Sequence, residues 1–145
     1  METIPLNHNV FTARLIEFMM SNHPDRMEDT PFILERAATA ARTFESASMS
    51  GMTVDESMAE AERTLFEGLH FSPYLMVQDV LLLHFGYTED DDELDEFTLQ
   101  MLEIVRPLIS THSPDDYFQS SDRYPVLFDQ IKDSINQYLV RNGIQ

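Results

Sequence analysis

The sequence predicts an all-α protein, a single compact bundle of about six helices. Apolar residues recur every three or four positions along nearly the whole chain, and capping residues and prolines separate these periodic stretches. No alternating strand or hairpin pattern competes with the helical periodicity. The length of 145 residues suits one hydrophobic core. We therefore predict one all-helical domain over residues 1–145, with a short flexible N-terminus of about residues 1–8.

Three helices are predicted in the first half of the chain. The first begins at residue 7 or 9 and ends near residue 21, before an Asn-His-Pro stop. The second runs from about residue 31 to 50, with Thr30 as its N-cap and proline at its first position. The third follows Thr53 and Glu56, which have the spacing of a capping box.

The fourth helix, residues 73–85, is predicted to be the hydrophobic centre of the fold. Ser72 caps it, and only Gln78 and Asp79 interrupt its apolar residues as far as Leu83. A helix that is apolar on nearly all sides is typically buried on nearly all sides.

Two further helices are predicted after Gly86. The fifth begins in an acidic stretch, where Thr88 and Asp91 have capping-box spacing, and it ends near Ile109. The sixth begins between residues 122 and 124 and ends at Gly143.

The charge of the chain is its strongest functional signal. The sequence has 26 Asp and Glu against 9 Lys and Arg, a formal net charge of -17, and residues 51–100 hold 13 of the acids against Arg63 alone. Such a surface repels phosphate backbones and anionic lipids and attracts basic proteins. Because one Lys and eight scattered Arg make no basic stripe, direct nucleic-acid binding is not expected.

Seven of the eight residues between positions 89 and 96 are acidic, and we term this stretch the acidic segment. Its acidic members are Glu89, Asp90, Asp91, Asp92, Glu93, Asp95 and Glu96. Some are expected to cap the fifth helix, since negative charge at a helix N-terminus contributes about 0.3–1 kcal/mol per residue. Seven acids exceed what a cap needs, so we predict an interaction surface for a basic protein. The segment lacks the central glycine of a calcium loop, so no dedicated calcium site is expected.

Glu67 and His70 form the main alternative candidate. Glu-x-x-His on a helix places a carboxylate and an imidazole on one face, as di-iron helical bundles require. No second Glu-x-x-His is present, so half of such a site is missing. A metal-dependent enzyme or metal-binding bundle using this pair therefore ranks below a non-enzymatic protein without a cofactor. At the C-terminal end of the third helix, His70 is better explained by the helix dipole or a carbonyl partner.

The fourth helix carries a narrow polar strip of Gln78 and Asp79. Burial would raise the pKa of the Asp79 carboxyl and suit it to act as a base or ligand. We expect instead that the strip faces water, because its two residues are neighbours. Leu75 and Leu82 flank the strip, and they leave open self-association as a homodimer.

Several other functions are excluded by what the sequence lacks. None of its four glycines lies in a phosphate-binding or nucleophile-elbow motif, and the absence of Cys excludes disulfides and thiolate zinc sites. The N-terminus has no basic region of a signal peptide. Apolar runs are far shorter than the roughly 20 residues that span a bilayer. We expect a soluble, cytoplasmic protein without a membrane partner.

Three stretches together resemble a family of known sequences. They are residues 32–38 (Phe-Ile-Leu-Glu-Arg-Ala-Ala), 65–74 (Leu-Phe-Glu-Gly-Leu-His-Phe-Ser-Pro-Tyr) and 79–85 (Asp-Val-Leu-Leu-Leu-His-Phe). They are similar to a domain-of-unknown-function family of small helical proteins from the Bacteroides group, often encoded in conjugative or other mobile elements. The resemblance covers about residues 11–143. It implies an all-helical fold and a mobile-element setting, and it brings no catalytic residues. Where the family often has lysine after Ser72, this chain has Pro73.

Overall fold

The computed structural model describes residues 8–143, which form six α-helices, two short 3-10 helices and no strand. The all-α class and the six predicted helices are confirmed. The predicted flexible N-terminus lies outside the described residues, except for residue 8, with which the first helix begins. The helices are α1 His8–Asn22, α2 Thr30–Met49, α3 Val54–Leu65, α4 Pro73–His84, α5 Leu94–Thr111 and α6 Arg123–Arg141. The 3-10 helices are Pro24–Arg26 and Phe118–Ser120.

The chain divides into two compact units, Met1–Leu69 and His70–Gln145. The N-terminal unit contains α1 to α3, and the C-terminal unit contains α4 to α6. Each unit has its own cluster of buried apolar side chains. That the whole chain forms a single domain stays a prediction.

The N-terminal unit is built around α2, which packs against both α1 and α3. Small side chains on α2 make this packing possible. Ala37 and Ala40 are fully buried and let the neighbouring helices approach closely. The remaining buried members of this core are Phe11, Leu15, Met19, Ile33, Ala61, Leu65 and Leu69. Val54, although in register with the apolar face of α3, is 67% exposed at the start of that helix.

Helix ends in the N-terminal unit follow the capping chemistry of the sequence. The capping box is confirmed: Glu56 N–H donates to Thr53 Oγ1 at 3.1 Å, and Thr53 N–H donates to Glu56 Oε1 at 2.9 Å. The predicted N-cap of α2 was wrong by one residue. Asp29 takes that role, and its carboxylate accepts a hydrogen bond from Phe32 N–H at 3.3 Å.

The C-terminal end of α3 is held by an arginine from α2. Arg36 Nη1 lies 3.3, 3.0 and 2.6 Å from the carbonyl oxygens of Thr64, Leu65 and Glu67. The first two carbonyls belong to the last turn of α3, where intrahelical donors run out, and the third belongs to the turn that follows. The guanidinium therefore supplies donors and also a positive charge at the negative end of the helix dipole.

The C-terminal unit packs α4, α5 and α6 against one another. The predicted Ser72 cap of α4 is confirmed, with Leu75 N–H donating to Ser72 Oγ at 3.0 Å. The buried side chains of α4 are Tyr74, Met76, Val77, Val80 and Leu81. The expectation that α4 is buried on nearly all sides was wrong, since Leu83 is 70% exposed.

No helix within residues 8–143 combines the length and the apolar character needed to cross a membrane.

Candidate interaction site

The acidic segment lies in a loop and in the first turn of α5. The predicted capping box of Thr88 and Asp91 was wrong, because α5 begins only at Leu94. Asp91 belongs to the loop, where its N–H donates to Thr88 O and its Oδ1 accepts from Glu93 N–H at 3.0 Å. An aspartate side chain that bonds the backbone two residues on stabilises a turn rather than a helix.

All seven carboxylates of the acidic segment are on exposed residues. Only Leu94, at 4% exposure, anchors the segment in the core. Within the part of the chain that the structure describes, no Lys, Arg or His forms an ion pair with any of the seven. Among the described residues, the charge of the segment is therefore not neutralised by a paired cation.

One member of the segment also has a structural role. Asp95 Oδ1 accepts hydrogen bonds from Tyr74 Oη at 3.0 Å and from Gln78 Nε2 at 3.1 Å. Gln78 Nε2 also lies 3.3 Å from Oγ1 of the buried Thr98, which donates to Leu94 O at 2.7 Å. This network ties the first turn of α5 to α4. The expectation that Gln78 faces water was therefore wrong.

A cleft of about 450 Å³ opens beside the acidic segment, and we term it the acidic-aromatic cleft. Tyr87 and Phe97 form an aromatic pair with ring centroids 5.3 Å apart and ring planes 23° apart. The cleft is lined by Phe85, Gly86, Tyr87, Asp91, Glu93, Phe97, Asn136 and Leu139. It thus combines the Tyr87–Phe97 pair, which we term the aromatic wall, with two carboxylates and one amide from α6.

The electrostatics of the cleft are visible at Tyr87. Its pKa is raised first by burial and then by the negative charges of Asp91 and Glu93. A nearby negative charge opposes ionisation of a tyrosine hydroxyl, because the phenolate that forms is also negative. The negative potential of the two carboxylates therefore extends to the tyrosine side chain that lines the cleft.

Glu67 and His70 do not lie on a helix, so the predicted helical arrangement was wrong. Helix α3 ends at Leu65, Glu67 lies in the following turn and His70 in a bend. Gly68 between them has φ +80°, a left-handed conformation that suits glycine and that a right-handed helix cannot continue through. The backbone N–H of His70 donates to Asp116 Oδ1 at 3.0 Å. Among the described side chains, no three His, Asp or Glu are placed to hold a metal ion.

Asp79 is exposed on α4, as the solvated interpretation predicted. Partial burial still raises the pKa of its carboxyl, and its charge contributes to the raised pKa of Tyr124 after burial of that phenol. Leu75 and Leu82 on the same helix are partly buried against the core of the C-terminal unit. Self-association through them stays a prediction.

Fold and site together define an all-α protein of two three-helix units with an exposed acidic segment in the second unit. The chain belongs to the family described as domain of unknown function DUF1896, whose model matches residues 6–144. The resemblance to a domain-of-unknown-function family of helical proteins is thereby confirmed.

A solved structure has a similar fold. It is the crystal structure of protein PG0816 from Porphyromonas gingivalis, with a TM-score of 0.87 and 21% sequence identity over 96% of this chain and 95% of that chain. At this identity the likeness shows the fold alone. No curated protein matches the sequence.

Proposed function

We propose that this protein is a non-enzymatic interaction protein of the cytoplasm, whose acidic segment binds a basic protein partner in a mobile-element setting. The observation that carries the proposal is the exposure of seven carboxylates within eight residues, none ion-paired within the described chain. The family and the fold bring no activity that competes with this role.

Binding a cationic partner relieves a repulsion that the free protein carries. Two like charges 4 Å apart repel by about 1 kcal/mol in water and about 4 kcal/mol at the effective dielectric of a protein surface. A basic surface replaces these repulsions with attractions, and the long-range field raises the rate of encounter. Salt screens such forces over about 10 Å at 0.1 M. Partner binding should therefore weaken steeply as salt is raised.

The test is affinity capture with immobilised protein at about 0.1 M and about 0.5 M salt, conditions between which screening changes markedly. The probe variant changes Asp90, Asp91 and Asp92 to Asn. The matched control changes Asp122, Asp129 and Asp133 to Asn, three exposed acids of the same unit outside the acidic segment. Both variants remove three charges, so they separate a local site from net charge.

We expect a basic protein to be captured at low salt by the native protein and by the control, and to be lost with the probe variant. Capture that does not respond to salt would count heavily against the proposal. So would capture that survives the changes at Asp90 to Asp92.

A further inference from the structure

The acidic-aromatic cleft is more specific than the charge around it. We propose that it receives the guanidinium group of one arginine side chain of the basic partner. The inference rests on the proposed function and names the chemistry of its contact.

The aromatic wall is the first reason. Tyr87 and Phe97 are both only partly buried, and they line the cleft while also packing against the core of the C-terminal unit. A planar guanidinium packs on an aromatic face, where the ring quadrupole attracts its charge. The chain already uses this contact internally, with Arg26 and Arg36 over Phe32 at 4.5 and 4.8 Å from the ring centroid.

Charge complementarity is the second reason. Asp91 and Glu93 line the cleft, and their negative charges add to burial in raising the pKa of Tyr87. Among the described residues, no Lys or Arg lines the cleft to neutralise them. Arginine presents a fork of donors that matches carboxylate oxygens, and Asn136 of α6 adds an amide to the lining of the cleft.

Size and composition favour a guanidinium group over other occupants. A volume of about 450 Å³ lies at the lower end of ligand pockets, which suits one side chain rather than a folded segment. An anion would be repelled by the two carboxylates that line the cleft. A bare metal ion would find no group of three described His, Asp or Glu ligands. A lysine ammonium is also attracted to an aromatic ring, but it has neither a planar face that stacks on the ring nor a fork of donors that matches a carboxylate.

The direct test is NMR titration of the full chain with N-acetyl-arginine amide. N-acetyl-citrulline amide, which has the same shape without the charge, is the matched probe. We expect saturable shifts at the amides of Gly86, Tyr87 and Phe97, and at least about tenfold weaker binding of the citrulline probe. Equal binding of the two probes would overturn the inference.

Two pairs of variants locate the contact. Asp91→Asn with Glu93→Gln removes two charges inside the cleft, whereas Asp90→Asn with Asp92→Asn removes two from the same segment outside it. The first pair should weaken the arginine probe at least about fivefold and the second less than about twofold. Equal losses would show that the charge acts diffusely and would overturn the site.

A second comparison does not depend on residues near the core. Asn136 and Gln137 are both exposed on α6, but only Asn136 lines the cleft. Asn136→Lys places a cation in the cleft and should abolish binding of the arginine probe, while Gln137→Lys should leave it nearly unchanged. The opposite result, or equal effects, would refute the placement.

The same variants separate this inference from the proposed function. If the basic partner still binds Asn136→Lys but not the triple Asn variant, the acidic segment binds its partner and the cleft inference is wrong. If the arginine probe binds but no basic protein is captured, the proposed function fails and the partner is not the source of the guanidinium. A dimer by light scattering that Asn136→Lys dissociates would make a second copy the source, and would equally overturn the inference.

Discussion

Replacing Arg36 by Met should lower the free energy of unfolding by about 2–3 kcal/mol. The guanidinium lies within 3.3 Å of three carbonyl oxygens in the last turn of α3 and the turn after it, and its Nη1 has two hydrogens to donate. A hydrogen bond to a charged group contributes about 1.5–3 kcal/mol. Partial exposure reduces that value, while the contact with the Phe32 ring, at 4.8 Å, adds about 0.5–1 kcal/mol. Methionine keeps the apolar stem, so the loss reports the lost guanidinium contacts.

The assay is urea denaturation followed by far-ultraviolet circular dichroism, with Arg42→Met as the control. Arg42 is exposed on the same helix, and its guanidinium donates a hydrogen bond to the Thr39 hydroxyl at 3.1 Å. Its replacement should stay within about 0.5 kcal/mol of the native protein. A cost below about 1 kcal/mol for Arg36→Met, or equal costs for both variants, would refute the capping role derived from these distances.

Four further outcomes are expected. Thr53→Ala breaks the capping box of α3 and should cost about 1 kcal/mol in the same assay, whereas Thr53→Ser should be nearly neutral. Burial lowers the pKa of His23 below its ordinary 6.5, so its contribution to stability is fully present above that pH and is lost as pH falls through the lowered pKa. His23→Gln should accordingly flatten the pH dependence of the urea midpoint between about pH 7 and 5, and an unchanged slope would contradict this. Raising salt from about 0.1 to 1 M should stabilise the protein, with a smaller gain after Asp90 to Asp92 are changed to Asn, because screening shortens from about 10 to 3 Å. Elemental analysis should find no stoichiometric iron, manganese or zinc; tight metal binding that is lost with Glu67→Gln or His70→Asn would restore the metal-binding alternative.

Local signals in the sequence predicted most of the fold. Capping-box, N-cap and stop residues act on backbone groups within one helical turn of themselves. Helices such as α3 and α4 therefore begin where predicted. The start of α5 was missed because Asp91 uses its carboxylate to close a loop turn before the helix. From spacing alone, that use of an aspartate cannot be told from a cap.

The geometry of the candidate site depends on contacts between different helices, which the spacing of residues in the sequence does not predict. Gln78 turns inward because Asp95 and Thr98 on another helix offer hydrogen-bond partners. The acidic-aromatic cleft joins residues of the loop, α5 and α6, and the sequence signals only its acids. Its aromatic wall could have been suspected only from Tyr87 and Phe97 flanking the acidic segment.

The division into two three-helix units has a consequence for synthesis. In both units each helix packs against its chain neighbour, so contacts form between segments close in sequence. Helical proteins with such local topology fold in microseconds to milliseconds. A ribosome adds about 5–20 residues per second and thus needs about 4–15 s for the 76 residues of the second unit. The first unit can therefore reach its native packing before the acidic second half has been made.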